Sequence, residues 1–123
     1  MLKFCLWIWL AAGAATAHAA APAVVMGKAE NYCVTYCYIR IPFTIANYDP
    51  ARKMGRVFCE LEADVTARLP IYNGEAKTKG VQAEAIGVFK NDAGVAKGDV
   101  EMNTGIAVKY FVGAKLRSAN CHL

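Results

Sequence analysis

The sequence predicts an all-β domain: a small antiparallel β-sandwich of six to seven short strands, stabilised by two disulfides. Three observations carry that expectation. Several segments alternate apolar and polar residues with the period of a strand, and turn-forming residues recur every ten residues or so. Four cysteines also follow an N-terminal stretch built like an export signal.

That stretch, "MLKFCLWIWLAAGAATAHA", has Lys3 as a basic head, an apolar run from Phe4 to Ala15, and Ala17-His18-Ala19 at its end. Charged start, apolar middle and small residues before the cut are the layout of a cleaved secretory signal. Cleavage is expected after Ala19, with Ala21 as the second position. A retained anchor is the alternative, because no charged residue lies between Phe4 and Met26; the Ala-rich second half and Pro22 weigh against it. Residues 1–19 are thus read as a signal peptide, 20–37 as an arm and disulfide turn, and 38–123 as one β domain. The expected compartment is periplasmic or secreted.

Removing the leader takes both tryptophans, Cys5, His18 and Lys3 with it. Thirteen Lys and Arg then face ten Asp and Glu, a net charge of +3. That balance is too slight, and too evenly scattered, for a nucleic-acid surface.

The first strand is expected over 38–46, where Ile39, Ile41, Phe43 and Ile45 alternate with Tyr38, Arg40, Pro42 and Thr44. Pro42 lacks an N–H and marks an edge strand. "NYDPARKMG" (47–55) is a turn-rich connection. Val57, Cys59, Leu61, Ala63 and Val65 then alternate with Phe58, Glu60, Glu62 and Asp64 in a second strand. The two are expected to pair as a hairpin centred near Ala51. The segment 69–80 reads as a loop or short hairpin. A strand follows over 81–90, with a bulge expected at Gly87, then a tight turn at 91–94. Another strand covers 95–102 and ends in a turn at "NTG" (103–105). In the last segment Tyr110, Val112, Ala114 and Leu116 share one face, while Ala119 and Cys121 belong to the other. A bulge or turn near "RSAN" is therefore needed to bring Cys121 inward.

An exported chain with an even number of cysteines is read as disulfide-bonded. In the expected hairpin Cys59 lies across from about Phe43, roughly 20 Å from Cys37, too far for a bond. That leaves Cys33–Cys37 and Cys59–Cys121. The first pair cannot form in an extended strand, so "CVTYC" must turn. A bridge from an early strand to the last one resembles the immunoglobulin-like arrangement in shape. The buried Trp is absent and Ala119 stands where those domains carry a Tyr, so the likeness is one of architecture alone.

No residue set reads as catalytic or metal-binding. Zinc needs three or four ligands, and one closely spaced Cys pair does not supply them. Ser118 and His122 stand four apart, about 13 Å along a strand, too far for a nucleophile and its base. Glu60, Glu62 and Asp64 form an acidic alternation of the kind that faces solvent. No cofactor is expected. Recognition remains. Tyr32, Tyr36 and Tyr38, with Tyr48 near in sequence, gather aromatic surface around the disulfide turn, and tyrosine suits interfaces. Arg52, Lys53 and Arg56 add cations in the next connection. The expected function is an exported, non-enzymatic domain that recognises, caps or inhibits another envelope or extracellular protein through these six residues. The alternative is a structural subunit of a pilus or fibre, assembled by strand exchange with 21–32 as donor. Self-association through an edge strand belongs to the same expectation.

Overall fold

The computed structural model describes residues 21–123, so the expected leader and its cleavage after Ala19 lie outside the described residues. Seven strands follow in chain order: β1 Ala23–Met26, β2 Glu30–Cys33, β3 Tyr36–Ala46, β4 Met54–Ala67, β5 Lys77–Asp92, β6 Val95–Ala107 and β7 Phe111–His122. All pairings are antiparallel. They form one sheet ordered β1-β3-β6-β5-β4-β7, with β2 also paired to β3. The sheet is nearly closed. β1 touches β7, and the Asn31 side-chain amide donates to Ala114 O at 3.0 Å across the remaining seam.

Alternation decides what lies inside. Ile39, Ile41 and Phe43 of β3, Val57, Cys59, Leu61 and Ala63 of β4, Phe89 of β5, and Val100 and Met102 of β6 form one buried cluster. Ala114, Leu116, Ala119 and Cys121 of β7 pack against it. The strands are longer than expected, five of them running 11 to 16 residues.

The expected β3–β4 hairpin does not exist. β3 pairs with β6, and β4 lies between β5 and β7. Both strands line the same core, and their alternation specifies an inward face without specifying a neighbour. The disulfides are nonetheless Cys33–Cys37 and Cys59–Cys121. Each joins residues directly opposite in register, across β2–β3 and β4–β7. The "CVTYC" segment turns, as its spacing requires.

β3 is not an edge strand either, because β1 and β2 cover it. Gly27 N–H donates to Pro42 O at 2.7 Å, and in an antiparallel ladder a residue's N and O point to the same side. The N–H that Pro42 lacks therefore faces the covering strand. That strand is interrupted there, between Met26 and Glu30. Gly27 sits close enough that a Cβ would lie 3.0 Å from Pro42 Cγ.

Gly87 carries no bulge. It keeps register opposite Val57 and faces inward, where an added Cβ would lie 2.7 Å from Val100 Cγ2 and 2.8 Å from Phe43 Cε2. "NTG" is not a strand end but an irregularity within β6, where the register to β3 shifts between Tyr36 and Tyr38. The buried Thr104 hydroxyl donates to Cys37 O at 2.7 Å, and Asn103 Oδ1 accepts from Gly105 N–H at 2.8 Å. The side chains that suggest a turn hold this kink instead. The 69–80 segment is a short 3-10 turn over Pro70–Tyr72, and β5 already begins at Lys77.

Two expectations at the turns hold. Ala93 and Gly94 both have positive φ, 53° and 83°, the signature of a tight two-residue hairpin turn. In β7 the register to β4 shifts between Leu116 and Ser118, leaving Arg117 as the extra residue. This bulge in "RSAN" puts Leu116, Ala119 and Cys121 all on the inward side. A second shift, between Phe111 and Gly113, leaves Val112 over. Val112 is therefore exposed, not inward with Ala114.

Candidate functional site

Outward residues of β2, β3 and β6 make the first surface. Register places Tyr32 opposite Tyr38, and Arg40 between Glu30 and Glu101. The two tyrosine rings stack with centroids 5.2 Å apart. The Arg40 guanidinium lies over the Tyr32 ring, 4.2 Å from its centre, within cation–π range. The Tyr32 hydroxyl donates to the Glu101 carboxylate, and Arg40 lies 3.9 Å from Glu30. The hydrogen bond to Glu101, together with partial desolvation, raises the Tyr32 pKa above its ordinary value. Contact with the Tyr32 hydroxyl raises that of Arg40. The result is an ordered strip of aromatic rings and charge, anchored beside the Cys33–Cys37 turn. Tyr36 stands at the start of β3, 45% exposed.

Arg40 and Glu101 were not among the residues read as a site from the sequence. The signal for Arg40 was present, since it follows Tyr38 by two on the outward face of the same strand. Glu101 required knowledge that β6 lies beside β3.

The other expected residues are elsewhere. Tyr48 is at the far end of β3, packed edge-on against Phe89 with centroids 4.9 Å apart, and its hydroxyl donates to Met54 O. Arg52 and Lys53 lie in the connection after β3, the length of that strand away from Tyr36, about 33 Å. Asn91 holds this connection: its side-chain amide donates to Asp49 O at 3.2 Å and Arg52 O at 2.9 Å. Its backbone N–H donates to Lys53 O. Arg56 faces outward on β4, opposite Val88. Tyr32 and Tyr38 come together, and Tyr36 is their neighbour. The three cations form no part of that strip.

The second surface is the outward face of β5, β4 and β7. Its rows, read from register, are Val88–Arg56, then Ile86–Phe58–His122, then Glu84–Glu60–Asn120, then Gln82–Glu62–Ser118. His122 stacks on Phe58 with centroids 5.9 Å apart, while Ser118 lies opposite Glu62 two rows away. The structure does not bring Ser118 and His122 together. Gln82 donates to Glu62 Oε1 at 3.0 Å. Among the described residues no three His, Cys, Asp or Glu side chains converge to hold a metal ion.

Comparison with known protein families, with curated proteins and with solved structures finds no match to this chain.

Proposed function

We propose that this chain is an exported, non-enzymatic binding domain that recognises, caps or inhibits another cell-envelope or extracellular protein. The observation that carries the reading is the strip of Tyr32, Tyr38 and Arg40, an ordered, half-buried aromatic–cation surface beside a disulfide turn. Tyrosine and arginine are the residues that most often dominate binding energy, and rings already stacked lose little entropy on docking. Two disulfides are typical of oxidising compartments, which supports a periplasmic or secreted location. In the same reading the sheet is an immunoglobulin-like sandwich. Supporting it, β5 and β6 pair only from Phe89–Gly98 to Asp92–Val95, which leaves β5-β4-β7 and β1/β2-β3-β6 as two leaves.

The test is affinity capture from the native envelope with tagged wild-type and variant protein. Tyr32→Ala or Tyr38→Ala should weaken capture while the fold, monitored by thermal unfolding, survives. A double variant at Ser118 and His122 should capture normally. Loss of function in that last variant without loss of fold would overturn the non-enzymatic reading. Arg52 and Lys53, in the connection at the far end of β3, contribute separately from the strip, whereas Arg56 lies on the outward face of β4.

Assembly by strand exchange is the second reading. Its support is that β1 holds to β3 through only four register pairs and is set off by the break at Gly27–Ala29. A ladder of oligomers in size-exclusion chromatography would favour it over a single compact species.

A further inference from the structure

We propose that the outward face of β5–β4–β7 is a self-docking surface, through which two copies of this chain form a two-fold dimer. The proposal does not depend on the binding function above, since it uses another face. Phe58, Ile86 and Val88 point outward there at 40, 58 and 56% exposure. Register makes them contiguous: Phe58 lies beside Ile86, and Val88 is the next outward residue on β5. Grouped apolar side chains on an open sheet face mark an interaction surface.

Charge selects the occupant. Along the strands the face runs from cationic to apolar to acidic: Arg56 on one side of the Phe58 row, Glu60 and Glu84 on the other. Glu60 and Glu84 sit directly opposite each other, a like-charge pairing that is unfavourable within a sheet. Neither is among the ion pairs formed by the described residues, Arg40–Glu30 and Arg117–Asp64. The complement of Glu60 is Arg56, on the same strand one row beyond the apolar centre, while Glu84 has Val88 in the equivalent place. A two-fold axis lying in the interface, perpendicular to the strands and through the Phe58 row, turns the face end for end. Phe58 and Ile86 then meet their own copies, and Arg56 of each copy meets Glu60 of the other. An axis along the strands would stack acid on acid. Along β4 the face is therefore complementary to itself in one orientation, as an isologous interface requires.

The size sets the expected strength. Met54 to Glu62 spans about 26 Å and three strands with their side chains about 20 Å, so each copy covers roughly 500 Å². That is at the low end for specific interfaces, and the dimer should be a weak one.

Sedimentation equilibrium on protein expressed from the full 123-residue sequence, over about 5 to 500 µM, tests this. A monomer–dimer equilibrium is expected, and Phe58→Asp should abolish it. Arg56→Glu and Glu60→Arg should each weaken it about tenfold, and the two together should restore it, because the swap recreates the complement. Circular dichroism and thermal unfolding establish that each variant is folded. A monomer at every concentration overturns the proposal. So does a dimer that Phe58→Asp leaves intact, or one that the double charge swap fails to restore.

Discussion

Removing each disulfide in turn, as Cys59→Ala with Cys121→Ala and as Cys33→Ala with Cys37→Ala, should cost unequal amounts of stability, in an order set by loop length. Cys59 and Cys121 are 62 residues apart, Cys33 and Cys37 only 4. In the chain-entropy treatment the long loop is worth about 4 kcal/mol and the short one about 2 kcal/mol. The packing loss is similar in both and largely cancels in the comparison. Each bridge has one buried half, Cys59 at 3% and Cys37 at 0% exposure, and one half nearer solvent. For a domain of about 100 residues the difference reads as a fall in Tm of roughly 16–20 °C for the long bridge and roughly 8–10 °C for the short one. Differential scanning calorimetry of both double variants against wild type, under non-reducing conditions, makes the measurement. Equal falls, or a larger fall for Cys33–Cys37, would refute the loop-length argument. Strand docking would then govern the ranking, and the anchoring of β2 on β3 would matter more than that of β7 on β4.

Gly87→Ala forces a methyl group between Phe43 and Val100 and should destabilise by about 1–3 kcal/mol. Gly113→Ala meets nothing within 4 Å and should stay within about 0.5 kcal/mol of wild type in urea unfolding. Asn91→Ala removes two bonds to the 47–53 connection and should cost about 1–2 kcal/mol, with hydrogen exchange accelerating at Arg52, whose amide bonds to Asp49 O. Tyr32 should ionise at higher pH than a free tyrosine in ultraviolet titration, and Tyr32→Phe should remove that late step. Because its pKa is raised in the fold, the Tyr32–Glu101 contact stabilises the protein below the unfolded pKa and is lost as pH rises through the folded value.

Much of the fold was legible because it rests on local patterns. Alternation identified the inward sides of β3 and β4, the sequence Ala93-Gly94 marked its hairpin turn, and the face change in β7 demanded the bulge found at Arg117. Strand adjacency was not legible. Residues 47–55 look like a hairpin turn, yet they join strands that share a core without sharing a ladder, and period-2 patterning is identical in the two cases. The disulfide assignment survived the wrong hairpin because it needed only that Cys37 and Cys59 be far apart. Glycines misled for a related reason. Gly87 looked like a break in the pattern, whereas its missing side chain makes room for Phe43 and Val100. At the site, the tyrosines were visible as a cluster in sequence. The Arg40 and Glu101 that order them came from register, and Tyr48, Arg52 and Lys53, near in sequence, went to the other end of β3.

The two proposed surfaces bear on each other through the geometry of the core. Ile39 and Ile41 on β3 and Val57 and Leu61 on β4 belong to one buried cluster, so the outward faces of those strands look away from each other. Docking through Phe58 would therefore leave the Tyr32–Tyr38 strip of both copies exposed, on the outer flanks of a two-fold pair. Such a pair points its two strips in opposite directions, so it would bridge two partner molecules and gain no avidity on one surface. Arg56 then belongs to self-docking and not to the partner strip. Phe58→Asp should abolish the bridging of two partner molecules but leave one-to-one binding unchanged, whereas Tyr38→Ala should lower both.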